Sequence, residues 1–171
     1  LVAAGVAFGQ ERAPALPRMV VEDNGDGDAV QMVAAASTAP VTVAVRAVVD
    51  LADGRLDQSL ARFPTNQDVP LWIAIGAPPS REGIDGWRRS LRTVLDRTSR
   101  ALVILEVMFD RQPPDVIRFA TQVAATEVRA RRDGIRVALG GPAIDDESRR
   151  ANAYSSEIAP YVDLLAVSEG A

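Results

Sequence analysis

A chain of 171 residues with 47% hydrophobic content can bury one sizeable core. Its net charge of −4 and pI near 4.9 leave no basic excess to neutralise phosphates, so nucleic acid is not an expected partner. Cys and His are both absent, which excludes disulfides, thiolate or imidazole metal sites and every histidine-dependent triad or general base. Any chemistry must come from carboxylates, hydroxyls, Arg, Tyr or backbone groups, and no cofactor or metal is expected.

The chain opens Leu-Val-Ala-Ala-Gly-Val-Ala-Phe-Gly-Gln, which resembles the tail of a signal-peptide apolar region. Residues 1–16 are therefore expected to be a tail or signal remnant, and the protein secreted or periplasmic. No run reaches the roughly 18 to 20 apolar residues that a bilayer span requires. The first β-type run, 17–23, leads into Asp23-Asn24-Gly25-Asp26-Gly27-Asp28. Three aspartates there would repel a pyrophosphate, which argues against dinucleotide binding. The spacing looks like a calcium loop, but Ala34 stands near the place of the distal Glu. A turn with a helix cap at Asp28 is the expectation.

Further β-type runs follow at 41–49, 71–76, 101–109, 135–140 and 162–168, starting about 22 to 34 residues apart. Helix-type stretches separate them, at about 28–37, 55–62 and 146–159 and in two stronger segments. One segment begins after Pro78-Pro79-Ser80 and carries Ile84, Trp87, Leu91, Val94 and Leu95 at a 3.6-residue period. The other follows Pro113-Pro114-Asp115, with Val116, Ile117, Ala120, Val123 and Ala124 as its stripe and Gly134 as its stop. Arg88-Arg89, Arg129 to Arg132 and Arg149-Arg150 are read as solvated helix faces. Near-continuous Val/Ile/Leu runs joined by helices require a parallel sheet buried on both faces, in one α/β domain over 17–171. Strict alternation suits either an open doubly wound sheet or a closed eight-stranded barrel.

Three segments together resemble one family. Glu106-Val-Met-Phe-Asp110, Arg136-Val-Ala-Leu-Gly-Gly-Pro142 and Tyr161-Val-Asp-Leu-Leu-Ala-Val-Ser168 are similar to strands four, five and six of the (β/α)8-barrel glycoside hydrolase clan of cellulase, β-xylosidase and β-galactosidase type. Arg46 lies where that clan places an arginine on strand two. The resemblance covers roughly residues 70 to 170. It implies a TIM-barrel-like fold with about six of eight βα units in this chain, and hydrolysis or binding of a carbohydrate. It further implies Asp110 as proton donor, with Glu169 or a seventh-strand glutamate as the opposing carboxylate. Arg46, Asp50, Glu106, Phe109 and Ser168 become substrate-binding candidates. The sequence departs from the family in three places. Asp110 is one methylene shorter than the clan's acid/base glutamate, Phe109 replaces an asparagine, and Ser168 replaces a histidine.

Strand parity adds an independent reading. Residues 106, 108 and 110 share one face, so Glu106 and Asp110 point together while Val107 and Phe109 point away. Glu106 would then be a charge inside a barrel and needs a partner. Arg46 is the candidate, with Asp50 beyond it on the same parity. Such a buried pair explains these residues without catalysis. Trp72 and Trp87 read as packing, which leaves Phe109 as the one aromatic near the mouth. A non-catalytic saccharide-binding barrel and a structural barrel therefore remain alternatives. A chain stopping at its sixth strand is expected to be a piece of a longer protein, or else an open sheet that dimerises; the oligomeric state is left open.

Overall fold

A computed structural model describes residues 16–25, 28–35, 43–51, 55–63, 69–98, 100–109, 112–131, 134–140 and 156–166. In chain order the elements are β1 (Met19–Glu22), α1 (Asp28–Ala35), β2 (Val43–Val49), α2 (Leu56–Ala61), β3 (Leu71–Gly76), α3 (Ile84–Thr98), β4 (Leu102–Met108), α4 (Pro114–Arg129), β5 (Arg136–Gly140) and β6 (Leu164–Ala166). A 3-10 turn, Arg81–Gly83, leads into α3, and another, Ala159–Tyr161, precedes β6. Every described strand lies within an apolar run read from the sequence. Most of the helix expected at 146–159 falls outside the described residues, as does the tail over 1–15. Asp28 is the first helical residue of α1, where its charge faces the positive end of the helix dipole.

The strands form one sheet in the order β1-β2-β3-β4-β5-β6, and every neighbouring pair is parallel. A doubly wound sheet reverses its strand order partway across. Among the described strands there is no such reversal, so they do not form an open doubly wound sheet. The result is a curled, singly wound half-barrel with alternating helices. Proline and glycine punctuate it. Pro113 and Pro114 fix φ at the start of α4, where the missing N–H costs no helical bond. Gly134 adopts φ 101°, a left-handed conformation that β-carbon-bearing residues avoid, and turns the chain into β5.

One sheet face carries the main core. Val45, Ala47, Val49, Ile73, Ile75, Leu105, Val107, Val137 and Leu139 pack there with Trp87, Leu91, Val94 and Leu95 of α3 and Ile117, Ala120 and Ala124 of α4. The apolar stripes thus bury as their periodicity predicts, although Val123 is only half-buried. Thr98 and Thr121 are buried within these helices and donate to the carbonyls of Val94 and Ile117, both at 2.8 Å.

The arginine-rich helix faces are not simply solvated. Arg88 and Arg92 of α3 and Arg131 after α4 converge on Glu127, whose side chain is 5% exposed. Arg131 also holds Asp96 at 2.8 Å. A carboxylate cannot be buried between two helices unpaired, so these cations are drawn inward as its counter-charge.

Candidate active-site rim and buried ion network

The opposite, concave face of the sheet is set by register. Glu22, Arg46 and Trp72 form one row across β1, β2 and β3. Val48, Ala74, Glu106 and Ala138 form the next row toward the carboxyl ends, and Gly76, Met108, Gly140 and Ala166 the one after. A bulge makes this alignment. Leu71 pairs with Leu102 but Trp72 pairs with Ile104, so one residue of β4 is skipped. Without that skip Leu105 would share a face with Trp72, and Glu106 would turn under the helices.

Glu106 is 1% exposed, and both of its oxygens are occupied. Arg46 donates twice, from Nε to Oε2 at 2.8 Å and from Nη2 to Oε1 at 3.0 Å. The indole Nε1 of Trp72 donates to Oε2 at 2.8 Å. The fork-on-fork geometry suits a guanidinium and no lysine could reproduce it. Arg46 also reaches Glu22 from Nη1 at 3.1 Å, and its guanidinium carbon lies 5.9 Å from the centre of the Trp72 ring. Burial pulls the Arg46 pKa down, but hydrogen bonds and charge from Glu106 and then Glu22 outweigh it, so the net shift is upward. The partner expected for Glu106 from strand parity is therefore in place.

Gly140 makes room for this carboxylate. A Cβ built there would lie 2.5 Å from Glu106 Oε1 and 2.7 Å from the Cβ of Ala166. The small residues of β5 and β6 are a packing requirement of the charge on β4.

Above the network lies a cleft of about 790 Å³. Its walls come from the carboxyl ends of β2, β3 and β4 and from the start of α3. They include Val48, Asp50, Leu51, Gly76, Pro78, Pro79, Glu82, Trp87, Ser90 and Met108. Met108 joins cleft to network, because its Sδ lies 3.7 Å from Nη2 of Arg46. The Trp87 indole N–H is spent on the Gly76 carbonyl at 2.7 Å, which ties α3 to the end of β3. Asp50 accepts from exposed Arg55 at 3.3 Å, and Glu82 accepts from the Ser80 hydroxyl at 3.2 Å.

Of the residues singled out in the sequence, Arg46 and Glu106 are brought together, and Asp50 stands apart from them at the cleft. Phe109 was expected near the mouth. It is 5% exposed within the helix-side core, because its parity is that of Val107 and not of Glu106. Asp110, Ser168 and Glu169 lie outside the described residues. Sequence reasoning missed Trp72, Glu22 and Gly140 as members of the network. Nothing in the sequence set Trp72 beside Arg46, because side-chain parity holds only within one strand; their contact depends on the β2–β3 register, and the relation of Trp72 to Glu106 on the bulge. Among the described residues no group of three or more acidic side chains could hold a metal ion, and no helix is long and apolar enough to cross a membrane.

No protein-family model, curated protein or solved structure matches the chain.

Proposed function

We propose that the chain is a glycoside hydrolase-like barrel domain that takes carbohydrate in the cleft above Met108. The position of that cleft carries the reading. It opens at the carboxyl ends of three consecutive parallel strands, where barrel enzymes assemble their sites from strand ends and βα loops. Its described lining sets two carboxylates, Asp50 and Glu82, and the Ser90 hydroxyl in a largely apolar surface, a mix that suits a sugar-binding groove.

In this reading Glu106 is not a reacting group. A carboxylate that accepts three hydrogen bonds from Arg46 and Trp72 would have to shed donors before it could attack carbon or take a proton. It serves with Arg46 as scaffold beneath the cleft. Asp50 is the substrate contact, and Asp110, which the family resemblance implies as the acid, is the proton donor of a glycosidase. Asp110→Asn should abolish turnover of aryl glycosides and leave the circular dichroism spectrum unchanged. Unaltered turnover would remove Asp110 from the mechanism. A second reading, binding without cleavage, is favoured by Phe109. The position from which the resembled clan offers an asparagine to the sugar is occupied here by a core ring. Oligosaccharide binding by calorimetry with no product by chromatography would establish that second reading, and absence of both binding and turnover would overturn the carbohydrate assignment.

A further inference from the structure

Glycine weakens strands and helices, so its presence there calls for a reason. The reason can be a left-handed φ, a neighbour that leaves no room for a Cβ, or the close approach of something else to the backbone. The described glycines divide on these grounds. Gly25 and Gly134 have positive φ, at 99° and 101°. Gly140 has no room, because Glu106 and Ala166 stand against it. Gly76, Gly83 and Gly86 have neither reason. None of them has a positive φ. A Cβ at Gly76 or Gly83 would meet nothing within 4 Å, and one at Gly86 would meet only the flexible end of Arg89 at 3.9 Å.

All three of these glycines line the cleft. They come from different elements: Gly76 ends β3, Gly83 closes the 3-10 turn and Gly86 lies in the first turn of α3. Shape locates the cleft, whereas backbone angles and neighbours single out the glycines, and the two agree on one place. Pro78 and Pro79 stand on the same wall and fix φ between β3 and the turn, which favours a preformed opening. No demand of the fold itself converges there, but a ligand lying in the cleft would. We infer that Gly76, Gly83 and Gly86 are specificity-determining positions, where the ligand packs directly on bare backbone in the space that β-carbons would take. This inference rests on the carbohydrate reading of the same cleft, and it sets the sugar against the wall between β3 and α3.

Gly76→Ala, Gly83→Ala, Gly86→Ala and the triple variant are compared with the native chain in thermal melts. The same proteins are titrated by calorimetry with short β-1,4-linked oligosaccharides of glucose, xylose and galactose. Each Ala narrows the unfolded ensemble and strikes no atom in the free cleft. Melting temperatures should therefore hold level or rise, by up to about 4 °C per substitution. Affinity for the best-bound sugar should fall about tenfold or more in the triple variant, as expected when methyl groups intrude on a packed contact. Stability kept and affinity lost is a combination that a purely structural glycine does not give. Undiminished affinity in the triple variant, or lowered melting temperatures in the single variants, would overturn the inference and leave the carbohydrate reading standing. Failure of the native chain to bind any of the three sugars would remove both.

Discussion

Glu106 is the residue on which the concave face is organised, and its energetics follow from its contacts. Replacing it with Ala leaves the Trp72 indole without its acceptor and Arg46 with Glu22 alone. Breaking a buried pair in this way costs roughly 3–5 kcal/mol. We expect about 3 kcal/mol, because 21% of the Arg46 side chain reaches solvent and Glu22 stays in place. Urea denaturation measures it, and a loss below about 1 kcal/mol would mean that the carboxylate is hydrated in solution. Gly140→Ala tests the same seat from the other side. Its Cβ must displace Glu106 Oε1 and the Ala166 methyl, for an overpacking cost of about 1–3 kcal/mol. Combining it with Glu106→Ala should cost less than the sum, because the truncated side chain vacates half of the clash. How far this site was legible follows from the same contacts. Parity within β2 and β4 was enough to pair Arg46 with Glu106, since one buried charge demands another. Trp72 could not be added, because a skipped residue between two strands leaves no mark in either one. Phe109 was placed at the mouth by its position at a strand end, although its own parity sent it inward.

At the level of elements, the join between α3 and α4 depends on Glu127 as much as on the apolar stripes. Hydrogen bonds from Arg92 hold its pKa down most strongly; burial opposes them, and Arg88 and Arg131 add to the lowering, so the group sits at about 2 against an ordinary 4.5. A carboxyl depressed in the folded state stabilises the fold above its unfolded pKa and loses that contribution as pH falls through the folded value. The stability advantage of the native chain over Glu127→Gln should therefore be full at neutral pH, decline from about pH 4.5 and vanish near pH 2. We expect about 1–2 kcal/mol at neutral pH, reduced by solvent screening because Arg88 and Arg92 are nearly half exposed. A difference that stays constant across that range would show that the cluster contributes packing and not charge. The helices themselves were readable from proline starts and a 3.6-residue stripe. The hub was not, because a Glu among arginines on a helix reads as surface until the neighbouring helix is placed over it.

For the whole molecule, the decisive property is that sequence order and spatial order coincide across six parallel strands. Helices cover one face and the sheet curls around the other, which collects the ends of β2, β3 and β4 at one rim. The parallel strands follow from the alternation of β-type runs and amphipathic stretches; the unreversed strand order does not, because a doubly wound sheet shows the same alternation. The curl has a cost at its margins. Among the described residues β1 pairs only with β2 and β6 only with β5, and these margins expose Met19 at 56%, Val20 at 37% and Leu165 at 45%. An apolar strand with one unpaired backbone edge is a template for another strand. This chain should therefore self-associate through those margins as its concentration rises. Met19→Lys combined with Leu165→Lys places a charge on each margin without entering the core. Light scattering across a concentration series should show less association for the double variant than for the native chain. The melting temperature should move by no more than about 4 °C, as expected for two surface changes of about 0.5 kcal/mol each. Association that persists unchanged would locate self-contact on the helix faces, and a large drop in melting temperature would mean that these side chains are more deeply packed in solution than their exposure in the half-barrel indicates.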